Sequence, residues 1–462
     1  MKRYCILTSL ALAVFLPLSC EKGYEVEIAG ENARYKTAQQ AIISLRSEDG
    51  KAYYTTVEMR EDQQALPITA KLLGNAATGA EARLAFGDAD MVTRYNETYG
   101  TEYEVYPLEN ASLSADRLVF NMGSADAQEP VQVNLSAAGL RPDVTYMLPL
   151  VSSTSTKDAV AGDPMYILVK DYRSIPNNDK GVMMFSCIES DDTSVLDNMA
   201  FRLKNSGKYL IDVVIIFTSS CVNFSTETGE ISMPTNIGTY YQTAHQKDII
   251  DEIHKRGCKA ICTITTHGIA QFDLDTAKEY ARKIANFVYA FNLDGMFFDT
   301  EYTSFDSSRP GFTGSSTESM ARFLLELKRC MPDKMIVTYL YSTLSGLRNI
   351  SESDGVPLKD FVDYGLNDYG ASIVPAALGN ERVGIYSDNF ASGYRNVSCS
   401  NTSRCQAAGQ YGAHMFYCFS AGQFLNPASA YNSTRTCINN IASMWFNDSI
   451  VCEPLEDTHK DW

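Results

Sequence analysis

Residues 293–302 read Leu-Asp-Gly-Met-Phe-Phe-Asp-Thr-Glu-Tyr, an apolar strand that carries two acidic residues near its end. Because side chains alternate along a strand, Phe297, Asp299 and Glu301 share one face. Two carboxylates side by side in a mostly buried strand repel each other and lose solvation. A protein core has no use for that arrangement, whereas a hydrolase that cleaves a sugar bond does. The pair is therefore predicted to be catalytic, and the plain alternative is a strand that ends in an acidic loop.

The segment around this strand, residues 175–462, alternates apolar runs with amphipathic helices. Strands are predicted at 182–188, 212–218, 259–265, 295–301, 335–341, 362–366, 382–387 and 413–420. The helix over 277–291 shows an apolar stripe with helical spacing. Eight strand–helix units of this size predict a (β/α)8 TIM barrel, an α/β fold whose active sites lie at the carboxyl ends of the strands. Asp299 and Glu301 stand at such an end, on the fourth strand.

Residues 20–174 have a different character, with short strand-like runs separated by turns and no long helical periodicity. This spacing predicts an all-β sandwich. The segments Tyr95-Asn-x-x-Tyr-Gly, Tyr106-Pro-Leu and Tyr146-Met-Leu-Pro-Leu resemble the N-terminal module of Bacteroidetes surface lipoproteins, an immunoglobulin-like domain of unknown function. The chain is thus predicted to be multidomain, and this first domain would be a spacer or, alternatively, a glycan-binding module.

The first 19 residues are predicted to be a signal peptide. Lys2 and Arg3 precede an apolar run that is too short to span a bilayer as a mature helix. The run ends in Leu-Pro-Leu-Ser-Cys20, which resembles a bacterial lipobox with Pro17 at its usual aliphatic position. We expect an exported lipoprotein at the outer membrane or cell surface, held to the membrane only through a lipid on Cys20. The alternative is an ordinary signal peptide followed by a chance cysteine.

Composition excludes several classes of partner and cofactor. A net charge of −17 and a pI near 4.8, with no basic cluster, argue against nucleic acid and against anionic membrane surfaces. No paired Cys-x-x-Cys motif occurs, and the five histidines lack metal-ligand spacing, so no metal site is predicted. A monomer is expected, although nothing in the sequence defines the pairing of cysteines.

The motif at residues 294–301 resembles the glycoside hydrolase family 18 signature, Asp-Gly-x-Asp-x-Asp-x-Glu. It is closest to the endo-β-N-acetylglucosaminidases of the Endo H type, in which a tyrosine follows the glutamate as Tyr302 does here. The resemblance extends to a second strand and hairpin at 212–229 and to a sixth strand at 362–370. One position departs from the pattern, because Phe297 replaces the middle aspartate of the signature.

This resemblance implies a retaining, substrate-assisted reaction without a protein nucleophile or a cofactor, in which the substrate's own 2-acetamido oxygen attacks the anomeric carbon. Glu301 would protonate the leaving oxygen and later activate water. Asp299 would orient the acetamido N–H and stabilise the oxazolinium charge. Asn367, Tyr369 and Tyr302 would bind the substrate.

The function implied is cleavage of the β-1,4 bond in the diacetylchitobiose core of N-linked glycans, so glycoprotein N-glycans are the expected partners. Phe297 motivates an alternative, a non-catalytic glycan-binding protein on the same barrel. A chitinase is a further alternative, disfavoured because the eighth strand ends in Phe416-Tyr-Cys-Phe and lacks a tryptophan. The preferred glycan class depends on loop shapes and is not predicted.

Overall fold

The computed structural model describes residues 40–74, 79–217, 223–224, 231–232, 236–301, 303–369, 372–391 and 396–455. The predicted signal peptide, Cys20, Tyr302 and most of the hairpin predicted within 212–229 lie outside these residues. Within the described part, no helix combines the length and the apolar character that crossing a bilayer requires.

The N-terminal part is made of strands that form two sheets. Its strands are β1 (Ala41–Ser47), β2 (Tyr54–Met59), β3 (Gln63–Leu73), β4 (Ala80–Phe86), β5 (Glu104–Val105), β6 (Ala111–Leu113), β7 (Arg117–Phe120), β8 (Val131–Ser136), β9 (Thr145–Ser153), β10 (Ala159–Ala161) and β11 (Met165–Asp171). One sheet has the order β10-β1-β3-β8-β6, and the other has the order β2-β11-β9-β4-β7 with β5 beside β9. Alternate residues of β1 are buried, because only one face of its sheet packs on the core.

One helix interrupts these sheets, α1 (Ala89–Tyr99). The side chain of Asp88 caps its first turn by accepting the Met91 N–H, and Gly100 ends it with a φ of 71°. The helix presents Tyr95 to the second part of the chain, where the Tyr95 hydroxyl donates to the Arg329 carbonyl at 2.7 Å.

The second part contains a sheet in which all strands are parallel. Its strands are β12 (Met183–Glu189), β14 (Val213–Phe217), β17 (Lys259–Thr265), β18 (Gly295–Asp299), β19 (Met335–Tyr339), β22 (Tyr364–Leu366), β23 (Val383–Gly384), β24 (Ser387–Asn389) and β25 (Ala413–Tyr417). The order is β23-β22-β19-β18-β17-β14-β12-β25-β24. The two ends of this order, β23 and β24, are separated by only two residues of chain, so the sheet returns to itself as a barrel. The all-β-plus-barrel architecture predicted for the chain is confirmed at this level.

The helices around the barrel are less regular than the predicted alternation. They are α2 (Ile237–Ala244), α3 (Ile250–His254), α4 (Leu274–Ala290), α5 (Thr317–Cys330), α6 (Leu358–Phe361), α7 (Thr402–Ala408), α8 (Ala421–Leu425) and α9 (Asn432–Phe446). A 3-10 turn at Val195–Ala200 follows β12, and another at Ser342–Asn349 follows β19. Short two-strand ladders complete the part: β13 (Phe201–Leu203) with β26 (Ile450–Cys452), β15 (Asn223–Phe224) with β16 (Ile231–Ser232), and β20 (Glu352–Ser353) with β21 (Val356–Pro357).

Two apolar layers hold the barrel. The inner layer fills its interior and includes Phe185, Ile215, Phe297 and Val337. The outer layer packs the other face of the strands on the helices, as the stripe of α4 predicts. Phe297 is therefore a packing residue of the interior, and its ring lies 6.2 Å from that of Tyr339.

The sandwich packs on the amino end of the barrel through buried polar contacts. Asp333, just before β19, accepts hydrogen bonds from the hydroxyls of Tyr103 and Tyr289, each at 2.7 Å. Lys170 of β11 lies 2.7 Å from the same carboxylate. Burial would raise the pKa of Asp333, but Lys170 and Lys334 overcome that effect and hold it well below its ordinary value. The two parts therefore share one polar network.

A polar cavity of about 780 Å³ lies at this junction. Two of its lysines form close ion pairs: Lys259 Nζ lies 2.6 Å from Glu58, and Lys328 Nζ lies 2.9 Å from Asp363. Lys259 begins β17, so the cavity is at the opposite end of the barrel from the predicted catalytic pair. It belongs to the interface between the two parts.

Candidate active site

Strand β18 brings Asp299 to the carboxyl end of the barrel. The strand begins at Gly295, whose φ of 152° and close approach to the Met335 carbonyl, 2.1 Å from where a Cβ would stand, require glycine. Pairing ends at Asp299, so Glu301 lies two residues beyond the strand, although the sequence predicted a strand through 301. The two acidic residues remain close enough for Glu301 to act on Asp299 electrostatically.

Asp299 is buried in a way that is costly for a carboxylate. Its side chain is 4% exposed, and its Oδ1 has no hydrogen-bond partner in the described part of the chain. Burial raises the pKa of Asp299 to about 8, and the charges of Glu301 and Asp368 add to the effect. The free site therefore keeps a proton on Asp299 at neutral pH.

Glu301 is half-buried at the rim of the barrel. Its backbone carbonyl accepts a hydrogen bond from His267 Nε2 at 2.6 Å. The other ring nitrogen of His267 lies 3.4 Å from the hydroxyl of Ser342. His267 thus fixes the backbone of Glu301, and the Glu301 carboxyl faces the mouth of the barrel.

Asn367 does not have a free amide. It is fully buried, and its Nδ2 donates to the carbonyls of Ile373 at 2.7 Å and Gly384 at 2.9 Å, while its Oδ1 accepts the Ile373 N–H at 2.8 Å. These bonds tie the end of β22 to the seventh strand. The side chain predicted to bind substrate therefore shapes the loop that follows β22.

Tyr369 is part of this loop and lies at the mouth with its neighbour Asp368. Burial raises the pKa of the Tyr369 phenol well above its ordinary value, with smaller contributions from Asp368 and Glu301. Tyr339, at the end of β19, donates its hydroxyl to Asp368 Oδ1 at 3.0 Å. The structure thus groups Asp299, Glu301, Asp368 and Tyr369 at one end of the barrel.

The first and eighth strands extend the mouth. The Tyr417 hydroxyl donates to the Glu189 carboxylate, and the rings of Tyr417 and Tyr369 are 6.4 Å apart. Beside this pair lies a cavity of about 870 Å³, which Leu425 and Leu455 also line. Tyr417 therefore connects this cavity to Tyr369, whereas Asp299 and Glu301 do not line it.

Sequence reasoning missed Asp368 and Glu189. Asp368 stands between two residues that were singled out, and Glu189 ends the first strand. A carboxylate at the carboxyl end of a barrel strand is the signal that could have found both. Within the described residues, the side chains that could ligate a metal together are Asp388, Cys399 and His414, and none of the mouth carboxylates belongs to that set.

Known proteins resemble both parts of the chain. A family model of an N-terminal domain, whose description reads "-like, N-terminal domain", matches residues 35–158 of the chain. Endo-beta-N-acetylglucosaminidase F1 of Elizabethkingia meningoseptica is 29% identical over 290 residues, which are 61% of this chain and 83% of that protein.

Solved structures align with nearly the whole chain. EndoBT-3987 of Bacteroides thetaiotamicron, determined with a Man5GlcNAc product, has a TM-score of 0.77 and 26% identity, covering 88% of this chain and 96% of that one. The same protein in complex with a Man9GlcNAc2Asn substrate gives a TM-score of 0.71 and 24% identity, over 88% and 95%. The resemblance to Endo-type glycoside hydrolase family 18 enzymes, first carried by residues 293–302, is thereby confirmed.

Proposed function

We propose that this chain is a mannosyl-glycoprotein endo-β-N-acetylglucosaminidase, a glycosidase that cleaves the diacetylchitobiose core of N-linked glycans. One observation carries the proposal. A buried carboxyl with a raised pKa and an unpartnered oxygen, Asp299, lies two residues before the half-buried Glu301 at the carboxyl end of a barrel strand. The likeness to Endo-beta-N-acetylglucosaminidase F1 and to EndoBT-3987 supports the same substrate class.

The reaction divides its work between these two residues. The acetamido oxygen of the substrate attacks the anomeric carbon, and the bond to the leaving oxygen breaks as Glu301 gives that oxygen a proton. This forms an oxazolinium ion and releases the shortened glycoprotein. Glu301 then takes a proton from water, which attacks the anomeric carbon and restores the acetamido group with retained configuration.

The proton on Asp299 has a role in this cycle. Asp299 must be ionised to accept the acetamido N–H, whereas Glu301 must be protonated to act as the acid. Substrate binding would therefore release the proton from Asp299, because the acetamido N–H and the developing positive charge favour the Asp299 carboxylate.

The remaining predicted residues receive distinct roles. Tyr369 would contact the acetamido group, since it lies at the mouth between Asp368 and the Tyr417 ring, which is 6.4 Å away. Asn367 would act as a positioning residue that holds the Tyr369 loop through its three backbone hydrogen bonds. Tyr302 stays a predicted substrate contact outside the described residues.

The finer architecture and location are part of the proposal. Residues 20–174 would be an immunoglobulin-like domain, residues 175–462 a (β/α)8 glycoside hydrolase domain, and residues 1–19 a signal peptide. Cys20 would carry the lipid of an exported lipoprotein that acts as a monomer at the outer membrane or cell surface. Cys20→Ala should move the protein from the membrane fraction to the soluble fraction of producing cells, and continued membrane retention would contradict lipidation at this residue.

The function is tested on a glycoprotein with high-mannose N-glycans. Intact-mass analysis should find a single N-acetylglucosamine left at each site after wild-type treatment, and an untouched glycan after treatment with Glu301→Gln. Glu129→Gln, at an exposed position of the sandwich, is the matched control and should cleave like the wild type. If neither N-glycan nor chitin-type substrates are cut while wild type and Glu301→Gln both bind the glycan, the protein is a glycan-binding module instead.

A further inference from the structure

A cluster of metal-ligating side chains lies outside the catalytic mouth, between the seventh and eighth barrel strands and the last helix. Asp388 belongs to β24, His414 to β25 and Cys437 to α9, while Cys399 lies in the 3-10 turn Ser398–Ser400. All four side chains are 0% exposed. The fold thus gathers four donors from four separate segments, which explains why no ligand spacing is visible in the sequence.

The donor atoms of Asp388, Cys399 and His414 all lie within 4.8 Å of one another, and Cys437 joins them through Asp388. His414 Nε2 lies 2.8 Å from Asp388 Oδ2, Cys437 Sγ lies 3.2 Å from the same oxygen, and Cys399 Sγ lies 3.9 Å from His414 Nε2. A tetrahedral zinc ion with ordinary bond lengths separates sulfur from nitrogen by about 3.5 Å. Asp388, Cys399 and His414 therefore approach the spacing of three zinc ligands, and Cys437, which contacts Asp388, would complete the four by moving toward the other two donors.

Ordinary core packing accounts for only part of this cluster. A buried aspartate and histidine can satisfy each other, and an isolated buried cysteine is a small apolar residue. Here, however, the buried Asp388 carboxylate accepts from the Cys437 thiol and from the Cys399 backbone N–H, the Cys399 thiol lies against His414, and a third thiol, Cys405, interacts with Cys399.

We propose that Asp388, Cys399, His414 and Cys437 bind a thiophilic divalent cation, with zinc the best match to two sulfurs, one imidazole and one carboxylate. Binding replaces the two thiol protons: the cation gains two thiolates, and two protons leave to solvent. The cation at this site would take no part in the proposed reaction, for which no cofactor is predicted.

The cation would stabilise a segment on which the mouth depends. Asn396 Nδ2 and Ser398 Oγ lie 3.2 Å and 3.5 Å from the Tyr369 carbonyl, next to Cys399 in the chain. Fixing Cys399 therefore fixes the support of the Tyr369 backbone. The role inferred is structural, and the cation does not touch the substrate.

The test is metal analysis of the full chain produced in zinc-supplemented medium and dialysed against metal-free buffer. Inductively coupled plasma mass spectrometry should find about one zinc per chain. Cobalt substituted for zinc should give the absorption of a tetrahedral site with thiolate-to-metal charge transfer. Cys399→Ala with Cys437→Ala should abolish both signals, whereas Cys330→Ala, a buried cysteine elsewhere in the barrel, should keep them.

Two results would overturn the proposal. One is the absence of stoichiometric zinc and of the cobalt spectrum in the wild-type chain. The other is a disulfide that joins Cys399 to Cys405 or Cys437, found by peptide mapping without reduction. Both measurements use the wild-type chain, so they test the proposal even if the double cysteine variant fails to fold.

Discussion

Replacing Asp299 by asparagine should stabilise the protein while it inactivates the enzyme, and the stabilisation should depend on pH. The pKa of Asp299 is raised from its ordinary value of 3.8 to about 8. The folded state therefore holds this proton more tightly than the unfolded chain does. The resulting contribution to stability is complete below about pH 4 and is lost as the pH rises through 8. Asparagine has no proton to lose, so the variant escapes this loss.

The magnitude follows from the shift. About four pKa units at about 1.4 kcal/mol each set an upper limit of about 6 kcal/mol above pH 8. Part of the shift comes from the charges of Glu301 and Asp368, and the mouth is open to solvent, so we expect a stabilisation of about 2–3 kcal/mol. For a chain of this size that corresponds to a rise in Tm of about 2–5 °C.

The assay is calorimetric unfolding of wild type and Asp299→Asn at pH 4.5 and pH 8.5. We expect nearly equal Tm values at the lower pH and a higher Tm for the variant at the higher pH, with N-glycan cleavage lost at both. Asp248→Asn, at an exposed position of the barrel part, is the control and should show no pH-dependent difference. An equal Tm difference at both pH values, or a less stable variant at pH 8.5, would refute the reasoning that Asp299 is protonated in the folded protein.

Three further outcomes are expected. The kcat/KM for N-glycan cleavage should fall about tenfold per pH unit above pH 8, because the proton on Asp299 is then lost; a flat profile up to pH 10 would contradict this. Tyr339→Phe removes the hydroxyl that donates a hydrogen bond to Asp368, and it should lower kcat about threefold to thirtyfold with little change in Tm. An unchanged kcat would show that the reaction does not depend on this hydrogen bond to Asp368. Asp333→Asn breaks the buried contact with Lys170 and should destabilise the protein by about 3–5 kcal/mol, while glycan cleavage persists at low temperature. An unchanged Tm would show that the interface does not depend on this carboxylate.

The parallel strands were predictable because a strand buried on both faces is a continuous apolar run, as in Val213–Phe217. The acidic pair was predictable for the opposite reason, since charge in such a run has no packing purpose. The seventh strand was predicted as one run over 382–387, but the structure has two short pieces, at Val383–Gly384 and Ser387–Asn389. The break depends on which neighbour each piece pairs with, and pairing between distant strands leaves no local signal.

The helices after the first and fifth strands could not be anticipated either. Residues 195–200 and 342–349 form 3-10 turns, although an α/β pattern favours full helices at these places. Asn367 illustrates the same limit for a side chain. Its type and position suggest a substrate ligand, but Ile373 and Gly384 approach it from other segments and occupy its amide.

The position of the sandwich determines which end of the barrel faces away from a surface to which the protein is attached. The sandwich is joined to the amino end of the barrel by buried hydrogen bonds and ion pairs, and the catalytic mouth opens at the other end. If the protein is attached to a support through the sandwich, the sandwich acts as a rigid spacer. The mouth of the barrel then points away from the surface. On a bead that holds the protein in this orientation, the mouth of the barrel would face the solution and could reach glycans on large folded proteins.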